Sequence, residues 1–156
     1  MNYIVIGSDS PEYIELSARF IFHQDDLYPE AWNTRLLDGY YDIICHSDGW
    51  QLFCFDLYGQ EIKLELDVVV DALYQHSNYS GENIRLVACY AGAFEYGVAQ
   101  QLADLTQKEV LAPRMAVFLF ENGDVLVTPD QTSLEDPIYT NDFAQERAWD
   151  LFKPRL

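Results

Sequence analysis

His46 and Cys89 each follow a run of apolar residues that is typical of a buried strand. A cysteine attacks a carbonyl carbon as the thiolate, and a neighbouring imidazole favours that anion and accepts the proton. If the two strands are adjacent and parallel, their carboxyl ends bring the imidazole and the thiol to the same edge of a sheet. The sequence therefore offers a Cys/His dyad for acyl transfer or hydrolysis.

The loops that follow the two residues could supply the rest of such a site. The backbone N–H groups of Gly49 and Tyr90 are candidates to stabilise an oxyanion. The carboxylate of Asp48 has two alternative roles: it raises the pKa of a nearby thiol, or it orients the imidazole of His46.

Structural roles compete with these catalytic ones. Cys89 also fits as a small apolar residue that closes a buried strand, and Cys45 and Cys54 are expected to fill the core. His23 and His76 lack the paired spacing of metal ligands. We therefore expect neither a metal nor a cofactor.

Hydrophobic periodicity predicts alternating strands and helices. The predicted elements are a strand at 3–6, a helix at 11–21, an irregular connection at 24–39, a strand at 40–45, a hairpin of 50–55 and 61–64, a helix at 66–76, a strand at 84–89, a helix that opens at 91–93 and carries Phe94 on its apolar side, a strand at 110–112, and a hairpin of 116–120 and 125–127. This order predicts an α/β fold with a mainly parallel central sheet, helices on both faces and added antiparallel hairpins. We expect one domain over 1–156, with a core at about 40–127 and a proline-containing tail at 128–156 that wraps the surface.

The chain is strongly acidic, with 26 Asp and Glu against 9 Lys and Arg and a net charge of −17. This charge opposes binding to nucleic acid and to anionic lipid, and it attracts a basic protein partner, although acidity also serves solubility. The 49% hydrophobic content excludes intrinsic disorder. The 11 Tyr, 9 Phe and 3 Trp residues suit either a protein interface or a core with hairpins.

The three cysteines form no Cys-x-x-Cys pair, and no stretch is apolar for long enough to span a membrane. The start of the chain lacks the basic and apolar regions of an export signal. We expect free thiols and a cytoplasmic location, with delivery into another cell left open.

Four segments together resemble small His/Cys domains of bacterial polymorphic toxin systems, which are similar to caspase-like, clan CD cysteine peptidases. The segments are Ile43–Gly49, Gly81–Gly92, Ala99–Ala103 and Val110–Pro113, within a resemblance that covers about residues 40–127. The resemblance implies a caspase-like fold in which His46 and Cys89 match the family's histidine and cysteine. In the usual pattern glycine directly follows the histidine, whereas here Ser47 and Asp48 lie between His46 and Gly49.

Two functions follow from these observations. The first is an acidic immunity-type protein that binds and neutralises a basic toxin domain on a caspase-like scaffold. The alternative is a cysteine peptidase-like effector that uses Cys89 and His46. The sequence does not decide whether the chain is an enzyme.

Overall fold

A computed structural model describes residues 2–5, 12–16, 19–22, 30–31, 33–55, 58–77 and 79–155, with side chains from residue 30 onward except that of His76. The strands are β1 Asn2–Val5, β2 Glu12–Leu16, β3 Arg19–Phe22, β4 Tyr40–Ile44, β5 His46–Ser47, β6 Leu52–Phe55, β7 Glu61–Leu64, β8 Asn83–Val87, β9 Val110–Pro113, β10 Ala116–Leu119, β11 Val125–Thr128 and β12 Trp149–Phe152. The helices are α1 Leu66–His76, α2 Val98–Thr106, α3 Pro137–Thr140 and α4 Asp142–Arg147, with a 3₁₀ turn at Thr132–Glu135. None of the helices in these ranges is long and apolar enough to cross a membrane.

The central sheet has seven strands in the order β1-β2-β3-β4-β8-β9-β12. Its four middle strands, from β3 to β9, run parallel, whereas β1, β2 and β12 are antiparallel to their neighbours. Two smaller antiparallel sheets, β5-β6-β7 and β10-β11, accompany it. The predicted α/β class and the two antiparallel hairpins are confirmed, and the central sheet is mixed.

The two faces of the central sheet are covered differently. Helices α1 and α2 and the β6–β7 hairpin contribute to one core cluster with alternate residues of β4 and β8, among them Ile43 and Leu86. The intervening residues Ile44 and Val87 belong to a second cluster, on which the β10–β11 hairpin and Trp149 pack. The two longest helices in the described ranges thus share one face, and helices on both faces are not confirmed.

Several predicted elements have close counterparts in the structure. The strands β4, β8 and β9 and the β6–β7 hairpin lie within or beside their predicted ranges. Helix α1 has the predicted bounds because its buried residues Val69, Ala72 and Leu73 recur at helical spacing. The irregular connection is present at residues 33–39, whereas residues 24–29 lie outside the described ranges.

The helix predicted at 11–21 is wrong. Residues 12–16 form β2 and residues 19–22 form β3, which pairs with β2 on one side and with β4 on the other. The segments EYIEL and RFIF are rich in β-branched and aromatic residues, which favour strands. Pairing with the neighbouring strands therefore outweighs the helical spacing of the apolar residues.

The helix predicted to open at 91–93 begins instead at Val98. The intervening loop, residues 88–97, is held by backbone hydrogen bonds to the end of β9 and to the segment that follows β9. Tyr90 N donates to Met115 O at 2.9 Å, and Gly92 N donates to Pro113 O at 2.8 Å. These long-range bonds take the N–H groups that a helix start would leave pointing toward solvent.

The segment at 128–156 contributes more than a surface tail. It contains β12, which pairs with β9 and forms one edge of the central sheet. Beyond β12, the Arg155 guanidinium contacts the Asp104 carboxylate of α2 at 2.6 Å. The sequence analysis did not predict this strand.

Candidate functional site

The carboxyl ends of β4 and β8 bring His46 and Cys89 to one rim of the central sheet. The two strands are adjacent and parallel, with Ile44 opposite Val87, and His46 and Cys89 each lie two residues farther along. The pairing extends one residue beyond β4, since Cys45 N donates to Val87 O at 3.3 Å. The predicted adjacency of the two strands is confirmed.

The side chain of His46 is directed by the small sheet rather than by β4. His46 begins β5 and pairs with Phe53 on β6. Its half-buried imidazole stacks on the Phe53 ring, with centroids 5.6 Å apart, and meets the edge of the Phe55 ring at 5.0 Å. The imidazole is thus held by aromatic contacts.

The thiol of Cys89 contacts the backbone of β10. Val117 N donates to Cys89 Sγ at 3.3 Å, and the Sγ–H group lies 3.7 Å from Val117 O. Burial raises the pKa of this thiol above its ordinary value. Within the described ranges its hydrogen bonds are to Val117 alone, so no hydrogen bond joins it to the imidazole.

The two backbone N–H groups proposed for an oxyanion have partners in this conformation. Gly49 N donates to the Ser47 hydroxyl at 2.9 Å. Tyr90 N donates to Met115 O at 2.9 Å, and Tyr90 has a left-handed backbone with a φ of 59°. An oxyanion hole built from these two groups would require both hydrogen bonds to break. The catalytic dyad and the oxyanion hole stay predictions.

The carboxylate of Asp48 stabilises a turn. Its Oδ1 accepts hydrogen bonds from the backbone N–H groups of Trp50 and Gln51, each at 2.9 Å. These bonds hold the pKa of Asp48 below its usual value, so the group keeps its negative charge at neutral pH. The two proposed roles of Asp48, to raise the pKa of the thiol or to orient the imidazole, stay predictions.

Beside the rim lies a set of exposed aromatic side chains, here called the aromatic surface. It consists of Trp50, Tyr90, Phe94 and Tyr96, of which 49%, 40%, 40% and 58% are exposed. The Trp50 and Phe94 rings stack with centroids 4.6 Å apart and planes 17° apart. The surface therefore presents a flat aromatic pair to solvent.

Two glycines allow this arrangement. The Phe94 ring lies against the backbone of Gly49, where a Cβ atom would come within 2.6 Å of the ring. Gly97 lies so close to the Gly49 carbonyl that a Cβ atom there would be 2.5 Å from that oxygen. Small residues are required at both positions because backbone and ring approach within contact distance.

Sequence reasoning missed the aromatic surface because it assigned Phe94 to the inner side of a helix. The abundance of aromatic residues pointed to an interface without locating one. Gly49, directly before Trp50, and Gly97, three residues after Phe94, are the sequence signal that could have located it, because glycine is the usual residue where the backbone turns tightly or approaches another group closely.

The charges around the aromatic surface are of both signs. Asp48 and Glu95 are exposed within it. The Arg155 guanidinium lies 4.9 Å from the centre of the Tyr96 ring and is paired with Asp104. Because the Asp104 carboxylate neutralises this arginine, Asp48 and Glu95 leave the surface acidic. Within the described ranges, no three His, Cys, Asp or Glu side chains are grouped to hold a metal ion.

Comparison with known proteins adds one match. The sequence model of a family described as "Domain of unknown function (DUF8616)" matches residues 16–127, from the end of β2 to β11. No curated protein and no solved structure is significantly similar to the chain.

Proposed function

We propose that this chain, which belongs to the family described as "Domain of unknown function (DUF8616)", is an immunity-type protein in a bacterial toxin system. In this proposal the chain binds a basic toxin domain and neutralises it by covering the domain's active site. The binding face is the aromatic surface beside the rim.

The observation that carries this proposal is the exposed stack of Trp50 on Phe94. Tryptophan and tyrosine are enriched among the residues that dominate binding energy, because they bury a large rigid area at little cost in conformational entropy. Trp50, Tyr90 and Tyr96, together with the Phe94 ring that stacks on Trp50, supply several anchors. Isolated exposed aromatic residues would support the proposal less.

The charge of the chain determines the kind of partner. A net charge of −17 attracts a basic domain over distances of about a Debye length and repels acidic ones. The acidic groups Asp48 and Glu95 lie among the anchors, where they can pair with lysine or arginine of the partner. The proposed partner is therefore a basic protein domain.

The finer assignments of fold and location belong to the same proposal. The four parallel strands from β3 to β9 support a caspase-like scaffold, and the free thiols support action in the cytoplasm. On this scaffold the rim that serves peptidases as an active site serves here as the edge of a binding face.

Replacing Trp50 with alanine is expected to weaken binding to the basic toxin domain of this proposal by about 30-fold, a loss of about 2 kcal/mol. The loss arises because the partner can no longer bury the indole ring and because Phe94 loses the ring that stacks on it. Isothermal titration calorimetry measures the affinity, and growth of cells that produce the toxin measures protection.

The matched control is Tyr58→Ala, since Tyr58 is 89% exposed at the tip of the β6–β7 hairpin, away from the aromatic surface. Its affinity should equal that of the unmodified chain. Glu95→Lys should slow association, and the difference should shrink as salt concentration rises. Equal losses for Trp50→Ala and Tyr58→Ala would remove the aromatic surface as the binding face.

The peptidase-like effector is the second candidate function, and the position of His46 and Cys89 at the ends of adjacent parallel strands favours it. The hydrogen bonds of the thiol to Val117 and its raised pKa favour the binding protein instead. Reactivity of Cys89 separates the two candidates.

Cys89 is expected to react with iodoacetamide more slowly at pH 7 than a free cysteine does, because the raised pKa keeps the thiol protonated. The rate should rise with pH and level off only above the ordinary range of thiol pKa values. Mass spectrometry after timed alkylation measures it, with the buried Cys45 and Cys54 as unreactive internal controls. Rapid labelling at pH 7 by a thiol-directed acyl probe, lost in Cys89→Ala, would favour the peptidase.

A further inference from the structure

Cys45 and Cys54 lie at matching positions of the β5–β6 hairpin. The hairpin pairs His46 with Phe53, and the next residues along the two strands, away from the turn, are Cys45 and Cys54. Cys45 is also attached to the central sheet, since its N–H group donates to Val87 O at 3.3 Å. The hairpin register and the central sheet together hold Cys45 opposite Cys54.

The spacing of this pair suits a disulfide. At the turn of the hairpin, Asp48 N donates to Gln51 O at 3.4 Å. Hydrogen-bonded and non-hydrogen-bonded pairs alternate along an antiparallel ladder, and counting outward from that bond makes Cys45 and Cys54 a non-hydrogen-bonded pair. The Cα atoms of such pairs are about 4.5 Å apart, which lies within the range of about 4.4–6.8 Å that disulfides span.

The two cysteine side chains lie on the same side of the hairpin. Both belong to the first core cluster together with Leu52, and they are 1% and 0% exposed. His46 and Phe53 alternate with them along the strands, lie outside that cluster and stack their rings on each other. Because successive side chains of a strand point to opposite faces, the two cysteines meet in the core.

Cys89 lies toward the opposite face of the central sheet. Its Sγ atom contacts Val117 of β10, and Val117 packs on the second core cluster, whereas Cys45 and Cys54 belong to the first. The sheet therefore separates the Cys89 thiol from the other two, and the fold brings Cys45 and Cys54 together as a pair.

We infer that Cys45 and Cys54 form a disulfide when the chain folds in an oxidising compartment. Both cysteines are in the thiol form in this structure, as expected in the cytoplasm. The bond cross-links the hairpin whose turn carries Trp50, and so stabilises one edge of the aromatic surface. The inference goes beyond the proposed function and does not depend on it.

Oxidised glutathione is the oxidant for this step. The thiolate of one cysteine attacks a sulfur of oxidised glutathione, which releases one glutathione thiolate and leaves a mixed disulfide. The thiolate of the other cysteine then attacks the protein sulfur of the mixed disulfide and releases the second glutathione. Two protein thiols are oxidised to one disulfide, one glutathione disulfide is reduced to two thiols, and the two protein S–H protons pass through water to the glutathione thiolates. Because both cysteines are buried in the folded chain, this exchange takes place during folding.

Refolding of the reduced full chain from guanidinium into a buffer of reduced and oxidised glutathione tests the inference. Remaining thiols are alkylated with N-ethylmaleimide, and cleavage before each aspartate then leaves Cys45 in peptide 42–47 and Cys54 in peptide 48–55. Mass spectrometry should find these two peptides joined and Cys89 alkylated. The oxidised chain should melt about 5–10 °C higher than the reduced chain, because the bond restricts the unfolded state.

Cys89→Ala is the matched control and should leave both the joined peptides and the gain in melting temperature unchanged. Cys54→Ala should lose both. The equilibrium constant for forming the bond with glutathione should be roughly 100-fold lower in guanidinium than in buffer, because the unfolded chain does not hold the two thiols together.

Three results overturn the inference. The first is alkylation of all three thiols after refolding, and the second is a disulfide that involves Cys89. The third is a bond between Cys45 and Cys54 that has the same equilibrium constant in guanidinium as in buffer, or that fails to raise the melting temperature, since the folded hairpin would then not favour it. None of these results bears on the affinity for a toxin domain, so they are distinguishable from failure of the proposed function.

Discussion

Replacing Arg85 with methionine is expected to lower the free energy of unfolding by about 3–5 kcal/mol. The side chains of Arg85 and Asp42 are 10% and 1% exposed, and the guanidinium binds both carboxylate oxygens. Without the arginine, a buried carboxylate lacks its counter-ion, and Arg35 O loses a donor. Chemical denaturation followed by circular dichroism measures the loss.

Two further variants separate the cost of leaving a buried charge without its partner from the cost of losing any ion pair. Arg114→Met breaks the pair with Asp150, whose side chains are 48% and 45% exposed, and should cost at most about 1 kcal/mol. The double replacement Asp42→Leu with Arg85→Met should recover most of the stability, because it removes both buried charges. If Arg85→Met and Arg114→Met cost the same, the buried pair does not contribute as argued.

The ion pair of Asp42 and Arg85 could have been predicted from the sequence. Asp42 and Arg85 each interrupt an apolar run that was predicted as a buried strand, and they are register partners on β4 and β8. Two opposite charges at matching positions of adjacent buried strands are expected to pair. The sequence analysis placed the strands side by side and applied the register only to His46 and Cys89.

Elements whose own apolar pattern matches their structure, such as α1, β4 and β8, could be predicted, whereas elements in which pairing outweighs that pattern could not. Helix α1 has a buried stripe that its sequence alone displays. The start of α2 at Val98 depends on Gly92 N binding Pro113 O, and β2 and β3 depend on their partner strands. Pro113 and β4 lie outside any local window of sequence around α2 and β3, whereas β2 and β3 pair as close neighbours in sequence.

The same distinction applies to the candidate site. The shared rim of His46 and Cys89 follows from parallel strands, which the sequence order predicts. The directions of their side chains follow from β6 and β10, because Phe53 stacks on the imidazole and Val117 bonds the thiol. Strand order predicts which residues share an edge, and packing of the neighbouring hairpins determines whether they face each other.

Gly49→Ala is expected to destabilise the chain by about 2–5 kcal/mol, from about 1–2 kcal/mol of backbone strain and about 1–3 kcal/mol of overpacking. Gly49 has a φ of +98°, in the left-handed region, and an added Cβ would lie 2.6 Å from Phe94 Cε2 and 2.9 Å from Tyr90 O. The Phe94 ring would have to move, which would break its stack with Trp50. Thermal unfolding measures the stability, and the NMR shift of the Trp50 indole N–H measures the stack.

Gly59→Ala is the control that isolates the clash from the strain. Gly59 also has a left-handed backbone, with a φ of +77°, but an added Cβ there meets nothing within 4 Å. It should cost only the strain of about 1–2 kcal/mol and leave the Trp50 resonance in place. Equal stabilities for the two variants would mean that Phe94 yields freely, and a glycine would then not be required beneath the ring. A larger loss of stability for Gly49→Ala, together with a displaced Trp50 resonance, would show that the aromatic surface depends on the backbone turn at Gly49. The sequence analysis had proposed the N–H group of this turn as an oxyanion donor.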